Sequence, residues 1–130
     1  MKAGQFTRMD GVPVIDPAKV PGVLYFLPVP KSPHGIDTDP SGKWIAASGK
    51  LQPVVSVFDF EKLRAAIDGK DFSGEVRGGP VSRDDVALEG SGPGGLGPLH
   101  TQYDGKGNAY TSLFIGSGVA KWKLPPWTAE

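Results

Sequence analysis

The sequence predicts an all-β fold built from two similar units, with one short helix and a glycine-rich insertion. The 19 glycines and 13 prolines among 130 residues indicate many tight turns. Between these turns the chain carries short runs of β-forming residues, each bounded by Gly, Pro, Asp or Ser. These runs lie at 23–29, 44–48, 54–60, 109–115 and 119–122.

One helix is expected within this β pattern. In the stretch FEKLRAAIDG, Leu63, Ala66 and Ile67 fall at positions i, i+3 and i+4, the spacing of one helical face. The segment 73–97 that follows is rich in loop residues, apart from a weak strand signal at 86–88. We expect this glycine-rich segment to form a long excursion on the protein surface.

An internal repeat defines the two units. HGIDTDPSGKWIAAS begins at His34, and HTQYDGKGNAYTS begins at His100. This pattern is typical of a strand, a tight hairpin and a returning strand whose aromatic residue packs between sheets. After each histidine, Asp, Gly and an aromatic residue follow at nearly matching offsets: Asp39, Gly42 and Trp44 in the first copy, and Asp104, Gly107 and Tyr110 in the second.

Units of this form are the usual blades of a β-propeller. The two histidines lie 66 residues apart, more than the roughly 40–50 residues of an ordinary blade repeat, and the insertion can absorb the excess. We assign the first blade to about 20–72, the insertion to about 73–95 and the second blade to about 96–124. Closed propellers need about four to eight blades, so we expect a piece of a larger propeller.

Composition excludes several classes of function. Fourteen basic and fourteen acidic side chains cancel, so no one-signed field attracts a nucleic acid or an anionic membrane surface. The chain has no cysteine, which excludes disulfides, thiolate nucleophiles and thiolate metal sites. No apolar run approaches the length that spans a bilayer, and the start of the chain lacks the apolar stretch of a secretory signal.

His34 and His100 are the only histidines, and each one begins a unit. Equivalent positions of neighbouring blades converge on the propeller axis, so we expect the two imidazoles to meet there. Nitrogen ligands of this kind suit copper, although two of them cannot close a site. The alternative is that each histidine caps a turn or packs against the next blade, and the spacing alone leaves both interpretations open.

Three longer motifs resemble nitrous-oxide reductase. They are LPVPKSPHG at 27–35, GLGPLHT at 95–101 and GNAYTSLF at 107–114, and the similarity extends over about 2–122. The resemblance implies a seven-bladed propeller whose axis holds a four-copper sulfide cluster with seven histidine ligands. Nitrous oxide is reduced there to dinitrogen and water during denitrification. His34 and His100 match two of the seven ligands.

The same resemblance assigns roles to two lysines. Lys50, in the SGK after the first returning strand, corresponds to a lysine at the cluster edge that can donate a proton or a hydrogen bond. Lys121, in VAKW, corresponds to a position whose backbone carbonyl contributes to a calcium site, a ligand type that suits this hard cation. A solvated lysine is the alternative for Lys50, and a single carbonyl does not make a calcium site.

The resemblance also describes the larger enzyme. Its second, cupredoxin-like domain holds a dinuclear copper centre with cysteine ligands, which this cysteine-free chain lacks. The family implies an electron-donor protein such as a cytochrome c or a cupredoxin, a homodimer and a periplasmic location. We expect the isolated chain to be inactive. The alternative function is a non-catalytic propeller module that binds a partner and has structural histidines.

Overall fold

A computed structural model describes residues 4, 6–76, 79–82, 88–93 and 95–125 of the chain. Within these residues the fold is all-β with one short α-helix, as the sequence predicts. The strands are β1 (Phe6–Met9), β2 (Val12–Ile15), β3 (Pro33–Thr38), β4 (Trp44–Gly49), β5 (Val54–Asp59), β6 (Phe72–Val76), β7 (Gly79–Ser82), β8 (Leu88–Pro93), β9 (Pro98–Tyr103), β10 (Asn108–Leu113) and β11 (Gly118–Lys123), and the helix α1 is Phe60–Asp68.

Two antiparallel sheets carry the repeated motifs. The first has the strand order β3-β4-β5-β8, and the second has the order β11-β10-β9. In each sheet, the strand that bears a histidine is an edge strand: β3 in the first and β9 in the second. Two separate hairpins, β1-β2 and β6-β7, complete the described strands. The two main sheets pack against each other in an arrangement consistent with neighbouring propeller blades.

An aspartate organises the first hairpin. Asp39 is buried, and its carboxylate accepts hydrogen bonds from the backbone N–H of Trp44 at 2.8 Å and from the backbone and hydroxyl of Ser41 at 3.1 and 2.7 Å. Burial acts to raise the pKa of Asp39, but these hydrogen bonds outweigh it and lower the pKa below its ordinary value. Gly42 supplies the positive φ of +75° that the turn requires.

The second hairpin uses the equivalent aspartate. Asp104 accepts hydrogen bonds from the backbone N–H of Lys106 at 2.8 Å and from the backbone and side-chain amides of Asn108 at 3.1 and 2.6 Å. The Tyr110 hydroxyl also donates to it, at 3.3 Å. The predicted correspondence of Asp39 with Asp104 therefore reflects the same hairpin chemistry in both sheets.

We expect the carboxyl of Asp104 to titrate with a pKa of about 2, chiefly because the Asn108 side chain and the Lys106 N–H bind its charged form. The folded-state pKa lies below the ordinary value of 3.8. The hydrogen bonds to the ionised carboxylate therefore stabilise the hairpin at pH values above 3.8. This stabilisation is lost as the pH falls through about 2. Carbon-13 NMR of the carboxyl measures this directly. Asn108→Ala should raise the titration midpoint of Asp104, whereas Lys106→Ala should leave it unchanged because only the Lys106 backbone binds the carboxylate. A wild-type midpoint near 3.8 would contradict the assigned hydrogen bonds.

A mixed core joins the two main sheets. Its buried members are Trp44, Ala46, Val55 and Val57 from the first sheet and Ala109 and Trp122 from the second. Two buried hydrogen bonds lie beside it: the Trp122 indole donates to the Thr111 hydroxyl at 2.9 Å, and the hydroxyls of Thr101 and Thr111 lie 2.8 Å apart. Trp44 thus packs between the sheets as the repeat predicts, whereas Tyr110, its counterpart in the second copy, is only half-buried. Trp122 on β11 packs between the sheets as well.

The opposite face of the first sheet is covered by the helix and by an extended segment before β3. Ala47 and Phe58 are buried there against Leu27, Val29, Ile45 and Leu63. The helix α1 begins where the Asp59 carboxylate accepts hydrogen bonds from the backbone of Glu61 and Lys62, and it ends at Gly69. The nine-residue α1 is too short to cross a membrane, and no other described helix is long and apolar enough to do so.

Within 73–97, the described residues include strands where we expected a loop-rich excursion. The strands β6 and β7 form a hairpin there, and β8 pairs antiparallel with β5 as the fourth strand of the first sheet. The strand signal at 86–88 overlaps β8 only at Leu88, since 86 and 87 lie outside the described residues. Leu88–Pro93 lacks an apolar alternation, so its strand character comes from backbone pairing rather than from local sequence.

Candidate metal centre

The structure brings His34 and His100 together from different sheets. His34 lies on β3 and His100 on β9, the edge strands by which the two main sheets face each other. Their ring centroids are 5.2 Å apart, and the rings meet edge to face at 80°. Both side chains are exposed, and that of His100 retains 56% of its accessible surface. Both imidazoles are therefore accessible to a ligand from solvent or from another part of a larger molecule.

Both histidines sit at a β-bulge. Three residue steps of β3, from Pro33 to Ile36, oppose two steps of β4, and this extra residue lies in the His34–Gly35 pair. Three steps of β9, from Pro98 to Thr101, likewise oppose two steps of β10, which places the extra residue in 99–100. Bulges redirect side chains next to functional sites. The repeat found in the sequence thus includes a shared backbone irregularity that residue types alone did not reveal.

Gly35 permits the close approach of the two histidine strands. A Cβ atom on Gly35 would lie 2.1 Å from the carbonyl oxygen of Leu99 and 3.0 Å from the Cα of His100. Real Cβ contacts are never this short with backbone, which cannot rotate away as a side chain can. The contact between β3 and β9 therefore requires glycine at this position, beside both imidazoles.

Asp37 connects the two strands through its carboxylate. One oxygen accepts a hydrogen bond from the backbone N–H of Thr101 at 2.8 Å, and the other lies 3.3 Å from Nδ1 of His100. The Asp37 side chain is largely buried, with 19% of its surface accessible. Sequence reasoning missed this residue, although a carboxylate three positions after a histidine within a predicted strand is an unusual placement that could have drawn attention to it.

Tyr103 adds a second polar connection at the same contact. Its hydroxyl donates to the backbone carbonyl of Asp37 at 3.1 Å. Burial raises the pKa of Tyr103 well above its usual 10, and the nearby charges of Asp37 and Asp39 raise it further. The phenol is therefore a neutral donor at every ordinary pH. Together with Asp37 it ties β3 to β9 beside the histidines.

The two predicted lysines differ in their position relative to the histidine strands. Lys50 follows β4 directly, is half-buried, and its backbone N–H donates to the carbonyl of Ser32 at 3.0 Å, two residues before His34. Its backbone therefore lies at the histidine end of the first sheet. Lys121 lies on β11, with β10 between it and the strand of His100, and its ammonium is 5.6 Å from the centroid of the Tyr110 ring.

The described residues do not complete a metal site by themselves. Within the part of the chain that the structure covers, no group of three or more His, Asp or Glu side chains is arranged to hold a metal ion. The donor set here consists of two imidazoles, which suit a borderline-soft metal with nitrogen ligands. Any metal held by His34 and His100 therefore needs further ligands from elsewhere.

Comparison with known proteins gives a consistent result. No family model matches the chain. It is 42% identical over 130 residues to the nitrous-oxide reductase of Pseudomonas fluorescens and 39% identical over 130 residues to that of Stutzerimonas stutzeri. It is also 34% identical over 132 residues to that of Ralstonia nicotianae (strain ATCC BAA-1114 / GMI1000).

Each of these three alignments covers 95% of this chain but 19% of the relative. The chain thus spans about a fifth of the length of the curated relatives it matches. The similarity includes the motifs that carry both histidines, since nearly the whole chain is aligned. By sequence, the chain belongs to the nitrous-oxide reductase family as the counterpart of one segment of those longer proteins.

Proposed function

We propose that this chain is the part of a nitrous-oxide reductase that supplies two histidine ligands, His34 and His100, to a copper–sulfide cluster. The observation that supports this most strongly is the meeting of the two imidazoles, 5.2 Å apart between centroids, from bulges in two different sheets. Exposed, adjacent nitrogen donors fit copper, and their incompleteness fits a cluster whose other ligands come from other blades.

When bound, such a cluster supplies two electrons and a Lewis-acidic metal surface for cleaving the N–O bond of nitrous oxide, which takes up two protons to yield dinitrogen and water. The residues of this chain hold and surround the site. Lys50, at the histidine end of the first sheet, is proposed to donate a proton or a hydrogen bond at its edge. Lys121, further away on β11, is proposed to offer its backbone carbonyl to calcium.

What we propose for the whole protein rests on its similarity to nitrous-oxide reductases. We propose a seven-bladed propeller, of which this chain contributes about two blades divided near the limits 20–72 and 96–124. The dinuclear copper centre would lie in another domain, because no cysteine is available here. A cytochrome c or cupredoxin would supply electrons to a periplasmic homodimer, and nitrous oxide would be the substrate in denitrification.

The test is to read the coding sequence on both sides of this segment and to assay the full-length protein. We expect the remaining histidines and a downstream cysteine-bearing copper motif. After reconstitution with copper and sulfide, the full-length protein should show the visible absorption of a cluster and reduce nitrous oxide with an artificial electron donor, whereas the 130-residue chain alone should not. A reconstituted full-length protein without either property would refute the proposal.

One observation favours a non-catalytic binding module instead. The edge-to-face contact of the two rings is a packing arrangement that structural histidines also adopt. A module of this kind would bind a protein or peptide on the propeller rim, and its histidines would matter only for folding. It would take up no copper cluster, so the same reconstitution experiment separates the two functions.

A further inference from the structure

The Asp37 carboxylate has a geometry that a simple strand connection does not require. One oxygen is held by the Thr101 N–H at 2.8 Å, which restrains the rotation of the carboxylate. The second oxygen is then left 3.3 Å from Nδ1 of the neighbouring residue, His100. The two oxygens of one side chain on β3 thus contact the backbone of Thr101 and the ring of His100, which are neighbours on β9.

The protonation of the neutral His100 ring follows from this contact. An ionised carboxylate only accepts hydrogen bonds, so Nδ1 of His100 must carry the proton that is shared with Asp37. Nε2 then has a free lone pair. Metal-binding histidines commonly donate their second ring N–H to a carboxylate in this way, which fixes the tautomer and the ring orientation.

We infer that Asp37 is a positioning residue for His100: it holds the imidazole in the Nδ1–H tautomer and so makes Nε2 the atom that binds metal. The part that concerns metal rests on the proposed function. The tautomer itself does not, because it is a property of the copper-free chain. His34 provides an internal comparison, since its ring packs edge to face against the His100 imidazole.

A purely structural role is the competing explanation, because Asp37 also helps tie β3 to β9. Two variants separate the roles. In Asp37→Asn, the amide oxygen can still accept from Thr101, but the amide NH2 then faces Nδ1 and favours the Nε2–H tautomer. In Tyr103→Phe, the connection to the Asp37 carbonyl is lost while the carboxylate remains.

Nitrogen-15 NMR of the histidine rings measures the tautomers in the copper-free 130-residue chain, at a pH high enough that the ring nitrogen shifts no longer change with pH. Only two histidines are present, and His34→Gln assigns their signals. We expect wild-type His100 and the Tyr103→Phe variant to be mainly Nδ1–H. In Asp37→Asn we expect His100 to be mainly Nε2–H, with the His34 signals little changed.

The wild-type spectrum decides the inference even if a variant does not fold, because a predominantly Nε2–H His100 would overturn it. An unchanged tautomer in a folded Asp37→Asn variant would overturn it as well. In the reconstituted full-length protein, Asp37→Asn should weaken copper binding about 10–100-fold, and Tyr103→Phe should not. If the expected tautomers are found but full-length wild-type protein takes up no copper, the positioning role stands and the proposed function fails.

Discussion

Replacement of either histidine in the full-length protein, as His34→Gln or His100→Gln, is expected to abolish the copper–sulfide cluster and to lower nitrous-oxide turnover by more than about 100-fold. This exceeds the roughly 10–100-fold effect of losing a group that only supports a metal ligand, because a ligand itself is removed. The measurements are copper content, visible absorption and the rate of nitrous-oxide consumption after reconstitution.

Lys106→Ala is the matched control for these variants. Lys106 lies in the hairpin of the second sheet, its side chain is exposed, and only its backbone contributes to the Asp104 turn. It should retain full copper content and activity. If both histidine variants match the Lys106→Ala control in activity and copper content, then the histidines are structural, and the ring contact at 5.2 Å is only packing.

Gly35→Ala is expected to destabilise the fold by about 3 kcal/mol or more, the upper end of the usual cost of overpacking. The new Cβ would lie 2.1 Å from the Leu99 carbonyl oxygen. It can be accommodated only if β3 moves away from β9, and this movement would also separate His34 from His100. Denaturant unfolding of the chain measures the stability, and nuclear Overhauser effects between the two rings report their separation.

Gly74→Ala is the control for this substitution. Gly74 also lies in a strand, but a Cβ there meets nothing within 4 Å. Its effect should stay within about 0.5 kcal/mol, as for ordinary surface positions. A Gly35→Ala variant as stable as Gly74→Ala, with the ring contact intact, would show that the approach of β3 to β9 is looser than the structure indicates.

The part of the fold that could be predicted from the sequence depends on short-range interactions. The helical face of Leu63, Ala66 and Ile67 rests on a spacing of three and four residues, and the hairpins at Asp39 and Asp104 are made by hydrogen bonds to residues two to five positions further along the chain. Such patterns recur with the same residue types and can therefore be recognised as motifs. They sufficed to predict the all-β class, the short α-helix and the equivalence of His34 and His100.

The pairing of β8 with β5 could not be predicted in the same way. Leu88–Pro93 is dominated by small residues and has no apolar period, and its partner strand lies some thirty residues earlier. Backbone hydrogen bonds to a distant edge depend on where that edge lies in space. For the same reason, the family resemblance could match Lys50 and Lys121 to motif positions without indicating that Lys50 lies at the histidine end of the first sheet, whereas Lys121 lies two strands away from the strand of His100.

The sequence by itself determined the fold class, the two repeated units, the two histidines as the candidate ligands and the family, because each of these is written in local pattern or in residue identity. Only the tertiary structure decided how the site is built: the bulges that carry both histidines, the glycine contact between β3 and β9, and the carboxylate of Asp37 against His100. The glycine contact and the carboxylate contact join residues more than sixty positions apart. They exist only once the two sheets have packed against each other.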